Sequence, residues 1–382
     1  MKVERKSFGS KILSSFVTAI IGLVVFLGSF VVLYINEGRE DLGKVASAAS
    51  EVTQEGHSLD KGTLIGVKGS ITASAYAGDT YLAQGEYVYI ARTVEMYAYI
   101  EEEHRESKDN LGGSTTTTTT YSYKKEWTLS PRQTSTFQGD ANELPGSIPA
   151  DYNQKIASMP EQAHEQGEQL KMGRYTLMDN VEFSGSKQLK LTQDKINAEA
   201  LEHYALTSSY LFLGDEGISP TSARLGDYRI SYLVIDSSDI GILLGAADGD
   251  SISAFITPKE HQLYRFFAGA GSLSEAVQIL TQEHKTVTWI LRLVGFLMMF
   301  LGLIAMTGPI TKFLSVVPVF SKISGFIFGV IAFFVSLVLT TVIVVISMVL
   351  HNFFLALGVA AILIAVAVIL IVRKRSAAAG KK

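Results

Sequence analysis

Four stretches of this chain are apolar almost without a break: 12–35, 287–306, 325–350 and 353–372. A bilayer core of ~30 Å needs ~20 helical residues rising ~1.5 Å each, and every stretch reaches that length. Between the first and second lie residues 36–286, patterned like an ordinary folded domain. The expected fold class is a membrane protein with four transmembrane helices, one N-terminal and three C-terminal. To these it adds a large α+β, mainly antiparallel-β exocytoplasmic domain, held to the membrane at both ends.

Within 36–286 the apolar period changes along the chain. Leu42, Val45, Ala46, Ala49 and Val52 recur at helical spacing and predict a helix over 41–55. From Leu64 the period becomes two, predicting strands at 64–67, 70–77, 86–103 and 116–129. Gly112 and Gly113 suit the tip of a long hairpin. The six threonines at 115–120 read as part of its returning strand, because Tyr121, Tyr123 and Trp127 keep the alternation. Residues 130–172 read as loop and short helices. Strands are expected again at 175–191, then a short helix at 193–204. A second β block follows at 210–214, 227–236, 240–246 and 251–256, with Asp248-Gly249 as a hairpin turn. A helix over 272–285 feeds the second span. The two β blocks are candidates for a divergent duplication.

Charge orients these segments. The ends and the loop at 307–324 carry eleven basic residues and one acid, whereas 36–286 carries 36 acids against 21 Lys and Arg, a net of −15. Basic residues concentrate on the cytoplasmic side of membrane proteins. The reading is then a cytoplasmic N-terminus (1–11), a first span (12–35), an exocytoplasmic domain (36–286) and a second span (287–306). A cytoplasmic loop (307–324), two further spans (325–350 and 353–372) and a cytoplasmic tail (373–382) complete it. The first apolar stretch runs into Asn36-Glu37-Gly38-Arg39 without a small-residue cleavage pattern and reads as a retained anchor.

The chain has no cysteine, which excludes disulfides, thiolate nucleophiles and Cys-ligated metal centres. It also has no Asn-x-Ser/Thr acceptor. Both features lean towards a bacterial cytoplasmic membrane. None of the seven histidines pairs at metal-binding helical spacing, and no P-loop, dinucleotide fingerprint or nucleophile elbow occurs, so no metal or cofactor is expected. The acidic domain disfavours nucleic acid.

Several residues stand out against this background. Glu95, Tyr97, Tyr99 and Glu101 alternate onto one face of the hairpin, with Tyr121, Tyr123, Glu126 and Trp127 on the return strand. A solvated or partner-binding face is the favoured reading, since exposed tyrosines anchor interfaces. An acid/base carboxylate pair is the poorer one. Arg292 lies just inside the second span beside Trp289. It reads first as a side chain snorkelling to the headgroups. The sharper alternatives are a lipid-phosphate contact or an ion pair with Glu37, for which Arg39 competes. Gly295 and Gly302 share a face of the second span, and Gly325 and Gly329 form a small-xxx-small pair in the third; these are helix-packing positions. Ser336, mid-way along the third span, reads as bonded back to its own helix.

The chain resembles the transmembrane protein 43 family, also called LUMA, nearly end to end. The resemblance rests on Asn36-Glu37-Gly38-Arg39, Val94-Glu95-Met96-Tyr97, Tyr121-Ser122-Tyr123 with Glu126-Trp127, and Gly226-Asp227 with Arg229. It continues through Thr288-Trp289, Arg292, Gly295 and Gly302 to Pro318-Val319-Phe320. The six-threonine run and the short N-terminal tail depart from the animal pattern. The resemblance implies the same layout of spans and, for eukaryotic members, residence in the endoplasmic reticulum and inner nuclear membrane. It further implies a role in organising membrane-protein complexes, with no accepted catalytic activity. The functional expectation is a non-enzymatic membrane scaffold. It binds membrane lipids, other integral membrane proteins or a second copy of itself through the hairpin and the Gly226, Asp227 and Arg229 segment. An enzyme acting on lipids or cell-surface polymers is the alternative, and a channel or transporter is a third reading.

Overall fold

A computed structural model describes residues 2–56, 60–110, 114–139, 148–178, 180–314, 318–352 and 357–358. The chain divides into two compact units. One is the β-rich domain, made mainly of residues 41–106 and 118–281; the other holds the long helices.

Two sheets build the domain. In the first, the hairpin strands Thr115–Thr128 and Tyr87–Asp109 are followed by Tyr228–Asp236, Leu211–Leu213 and Tyr204–Leu206. The second runs Ser50–Thr53, Leu64–Ser70, Ile240–Asp248, Ser251–Ser253, Tyr175–Leu177 and Lys171–Met172, with Arg265–Ala268 also on Ile240–Asp248. Most pairings are antiparallel; Ser50–Thr53 with Leu64–Ser70 is one of the parallel ones. Tyr228–Asp236 and Ile240–Asp248 are joined by a tight turn, in which Asp239 accepts from the Asp236 N–H (2.8 Å), so the chain passes directly from one sheet to the other. Alternation sets the faces. Val94, Ile230, Tyr232 and Val234 enter one core, and Ile65, Val67, Leu243 and Phe266 another.

The long strands of the hairpin and of the second β block lie where the alternation predicts them, but several local periods resolve differently. The helix expected over 41–55 is only Leu42–Ala46, capped by Asp41 accepting from the Gly43 N–H at 3.0 Å. The chain then turns into strand Ser50–Thr53, because pairing with Leu64–Ser70 outweighs a five-residue apolar stripe. Of the strand expected at 70–77, only Ser70 lies in a ladder, and the rest makes isolated bridges at Thr72 and Ala75. Residues 175–191 break into Tyr175–Leu177, Glu182–Ser184 and Lys187–Gln188. The helix expected at 193–204 is two 3-10 turns.

In the other unit the helices Phe8–Glu37, Leu273–Met306 and Pro318–His351 are each long and apolar enough to cross a membrane. The predicted feeder helix and second span are one continuous helix. The expected loop at 307–324 is largely helical, with Gly308–Leu314 and the start of Pro318–His351 inside it. The fourth expected span, 353–372, lies outside the described residues apart from 357–358. A short strand, Lys2–Lys6, neighbours the returning hairpin strand, and Arg5 donates to Ser114 Oγ at 3.4 Å.

Candidate functional site

Strand register makes the first site. Arg229 stands opposite Glu95 on neighbouring strands and donates to both its carboxylate oxygens, at 2.6 and 2.9 Å. The guanidinium lies between two aromatic rings, 4.8 Å from the Trp127 centroid and 4.5 Å from that of Tyr210. Tyr97 and Phe212 pack on Trp127 at 5.2 and 5.7 Å. The fold thus brings together Glu95, Tyr97, Trp127 and Arg229, which the sequence singled out separately. It adds Tyr210 and Phe212, which no motif marked. A planar cation held by a bidentate carboxylate and stacked on both faces is pre-organised. It is also self-satisfied, with Glu95 on its edge and a ring on each face.

The remaining hairpin candidates divide by exposure. Tyr99 is fully buried beside Met96 and Tyr152 and presents no face to a partner. Tyr123 is half-buried and donates to Glu101 (2.8 Å), which also accepts from the backbone N–H groups of Gln138 and Gly139 at 2.7 and 2.9 Å. Burial works against the Glu101 charge. The Gly139, Tyr123 and Gln138 hydrogen bonds and the Arg132 charge outweigh it and hold the carboxyl below its ordinary pKa. Tyr121 is half-buried and Glu126 exposed, the latter 3.4 Å from Lys124 Nζ. Glu95 and Glu126, the carboxylates that acid/base chemistry would need, therefore each sit against a cation.

Asp227 is buried and structural. Its Oδ2 accepts from the Arg224 N–H at 2.6 Å, closing the turn before Tyr228–Asp236, while Oδ1 has no partner among the described residues. Desolvation raises its pKa against the opposing Arg224 hydrogen bond and Lys155 charge. Gly226 adopts φ +98°, and a Cβ there would meet Lys155 Cδ at 2.6 Å. A third cluster was invisible in sequence: Arg92 pairs with buried Asp79 at 2.5 Å, and Asp79 also accepts from Tyr232 at 2.7 Å. Its members lie up to 153 residues apart, and only strand pairing unites them.

The second site lies among the helices. Arg292 donates to both carboxylate oxygens of Glu37, at 2.7 and 2.8 Å, and stacks over Trp289 at 4.9 Å. The ion-pair alternative holds in place of snorkelling as the first reading, because Glu37 supplies two acceptors at hydrogen-bonding distance. Arg39 does not compete, and one of its terminal nitrogens is buried without a partner among the described residues. Asn36 donates to Glu37 (3.3 Å) and to the Thr288 carbonyl (3.1 Å). Asn36, Glu37, His284, Lys285, Thr288, Trp289 and Arg292 line a cavity of about 210 Å³.

Glycine contacts lock the first two helices. A Cβ on Gly295 would meet Leu33 Cδ2 at 2.5 Å, and one on Gly302 would meet the Gly22 carbonyl at 2.7 Å. Gly22, missed in the sequence, belongs to the same crossing. Gly329 has nothing within 4 Å, and Gly325 lies in the third helix. Among the described residues the buried Ser336 hydroxyl has no partner, contrary to the back-bonded expectation.

Membrane-length helices joined to a β-rich domain of mainly antiparallel sheets define an integral membrane protein with a large folded insert between its first two spans. Comparison with known proteins makes this specific. The family model described as Transmembrane protein 43 matches residues 96–353, and the chain belongs to that family. Human Transmembrane protein 43 is 25% identical over 84% of this chain and 81% of its own length. The mouse protein gives the same figures, and the Drosophila melanogaster homologue is 23% identical over 74% and 75%. No solved structure matches.

Proposed function

We propose that this protein is a non-enzymatic membrane organiser whose β-rich domain stands on the exocytoplasmic side and binds other integral membrane proteins. The supporting observation is the outer part of the hairpin. Tyr228–Asp236 pairs with the long strand from Tyr87 to Met96, and among the described residues this ladder does not continue along residues 98–109. These residues and Thr115–Thr128 form a ribbon of ~40 Å at ~3.3 Å per residue. Two-stranded ribbons are marginal alone. This one is also exposed and mixed in charge along Glu103, His104, Arg105, Glu106 and Lys108, a surface on which a protein partner gains backbone pairing and charge complementarity. Anchoring by helices at both ends confines the domain to the bilayer surface and raises its effective concentration for partners in the same membrane.

Four spans with both termini cytoplasmic follow from the basic flanks. The lack of cysteine and sequons favours a bacterial cytoplasmic membrane; animal relatives support the endoplasmic reticulum and inner nuclear membrane as the alternative. The test is recovery of co-purifying membrane proteins with Glu106→Lys and Lys108→Glu, which touch no core residue. Loss of partners at unchanged protein level supports the ribbon; an unchanged partner set removes it.

A further inference from the structure

The cavity beside the Arg292–Glu37 pair has properties that a packing defect lacks. Its walls are Asn36, Glu37, His284, Lys285, Thr288, Trp289 and Arg292, all polar or amphipathic, at the end of the helix pair where Trp289 stands two-thirds exposed. Exposed tryptophan beside an apolar span marks the headgroup level of a bilayer. About 210 Å³, at ~30 Å³ per water, accommodates a fragment of several non-hydrogen atoms.

Its hydrogen-bonding inventory is two-sided. Arg292 spends Nε and one terminal nitrogen on Glu37, which leaves its other terminal nitrogen as a donor in a cavity that Lys285 also lines. Opposite in sign is Asn36. It is 2% exposed, its amide nitrogen is taken by Glu37 and the Thr288 carbonyl, and its Oδ1 is buried without a partner among the described residues. A buried acceptor without a donor costs about 1–3 kcal/mol. The site thus offers cations to an anion and an unsatisfied acceptor to a donor.

We propose that this cavity binds the headgroup of a zwitterionic phospholipid, with the phosphate on Lys285 and Arg292 and a primary ammonium donating to Asn36 Oδ1. Phosphoethanolamine has both groups on one short linker. Phosphocholine has the phosphate but no N–H to give, so Asn36 discriminates between them. The site needs the helices to lie in a membrane; it does not need the scaffold reading, since no protein partner takes part.

The full chain, delipidated in detergent, is returned to nanodiscs of phosphatidylcholine doped with phosphatidylethanolamine or phosphatidylglycerol, and retained lipid is measured after re-extraction. Expected is enrichment of phosphatidylethanolamine of about fivefold over phosphatidylcholine, the equivalent of ~1 kcal/mol for one hydrogen bond. Asn36→Ala removes that preference, and Lys285→Ala lowers retention of both lipids. Thermal unfolding of each variant separates lost binding from lost fold. Equal retention of all three lipids overturns the proposal, as does a preference for phosphatidylglycerol untouched by Asn36→Ala. Loss of protein partners with the lipid preference intact strikes only the scaffold reading.

Discussion

Arg292 and Glu37, 255 residues apart, form a bidentate ion pair between the end of the first long helix and the second, with only 4% of the Glu37 side chain exposed. Removing one member strands the other in a poorly hydrated place, whereas removing both leaves nothing uncompensated. Arg292→Ala or Glu37→Ala is expected to cost about 3 kcal/mol each, and the double substitution clearly less than their sum. Chemical unfolding in detergent through a double-mutant cycle measures this. Additive losses would mean that the pair carries no coupling.

Arg229→Lys tests the stacked cluster. Lysine keeps the charge but loses the planar fork and both ring faces. The expected loss is about 1–2 kcal/mol, measured as a lowered unfolding midpoint with partner binding assayed in parallel. No change in stability would show that charge alone suffices at Glu95.

Two carboxyls give opposite pH signatures. Burial raises the pKa of Asp227, so its contribution is complete below the unfolded-state value and is lost as pH rises through the folded one. Asp227→Asn is therefore expected to raise the melting temperature at neutral pH and to lose that advantage on acidification. Glu101 is held low by its donors despite burial, so its contribution is present at neutral pH and is lost as pH falls through its folded value. Glu101→Gln is expected to cost about 2 kcal/mol at pH 7, with the difference fading in acid. Melting curves across pH 3 to 8 (roughly the carboxylate range and above) separate the two. Parallel profiles for both variants would refute the assignment.

The sequence located the hairpin, the paired strands and three spans because each has an uninterrupted period of two or a run of apolar helix. It placed Glu95, Trp127 and Arg229 among its candidates but not together, since register is a property of pairing rather than of either strand. Tyr99 was misjudged for a related reason. Alternation put it on the face of Tyr97, yet Ala98 and Tyr99 are both buried where Tyr152 and Leu225 cover the strand. The helix crossing did leave a trace. Ser15, Gly22, Ser29 and Asn36 recur every seven residues on the first helix and are all buried. A small-residue period in an apolar run is the readable sign of close helix approach.

That crossing predicts contrasting glycines. A Cβ on Gly22 would meet Ala305 Cβ at 2.6 Å and the Gly302 carbonyl at 2.8 Å, whereas one on Gly329 would meet nothing within 4 Å among the described residues. Gly22→Leu is expected to destabilise the helix unit by about 2–3 kcal/mol. Gly329→Leu is expected to leave the monomer unchanged and to alter behaviour only where another helix packs there. Unfolding and size analysis of both variants decide this, and equal stability for the two would dismiss the close crossing.

Membrane topology yields the last prediction, and the absence of cysteine makes it clean to measure. The proposed topology, argued from the basic flank, has residues 1–11 on the cytoplasmic side and 36–286 on the other, with 24 residues of apolar chain, ~36 Å as helix, between them. Arg5 nevertheless meets Ser114, at 3.4 Å, near the hairpin tip. A bilayer core of ~30 Å separates these residues if segment 12–35 crosses it, and a five-residue edge strand with one exposed side-chain hydrogen bond is too weak to hold the charged hairpin in hydrocarbon. Single cysteines at Lys2 and at Ser114 are expected to react with an impermeant maleimide from opposite sides in intact membranes. Ser114→Cys labels from outside, and Lys2→Cys labels only after permeabilisation. Labelling of both from outside would instead keep the Arg5–Ser114 contact and take the first helix out of the set of spans.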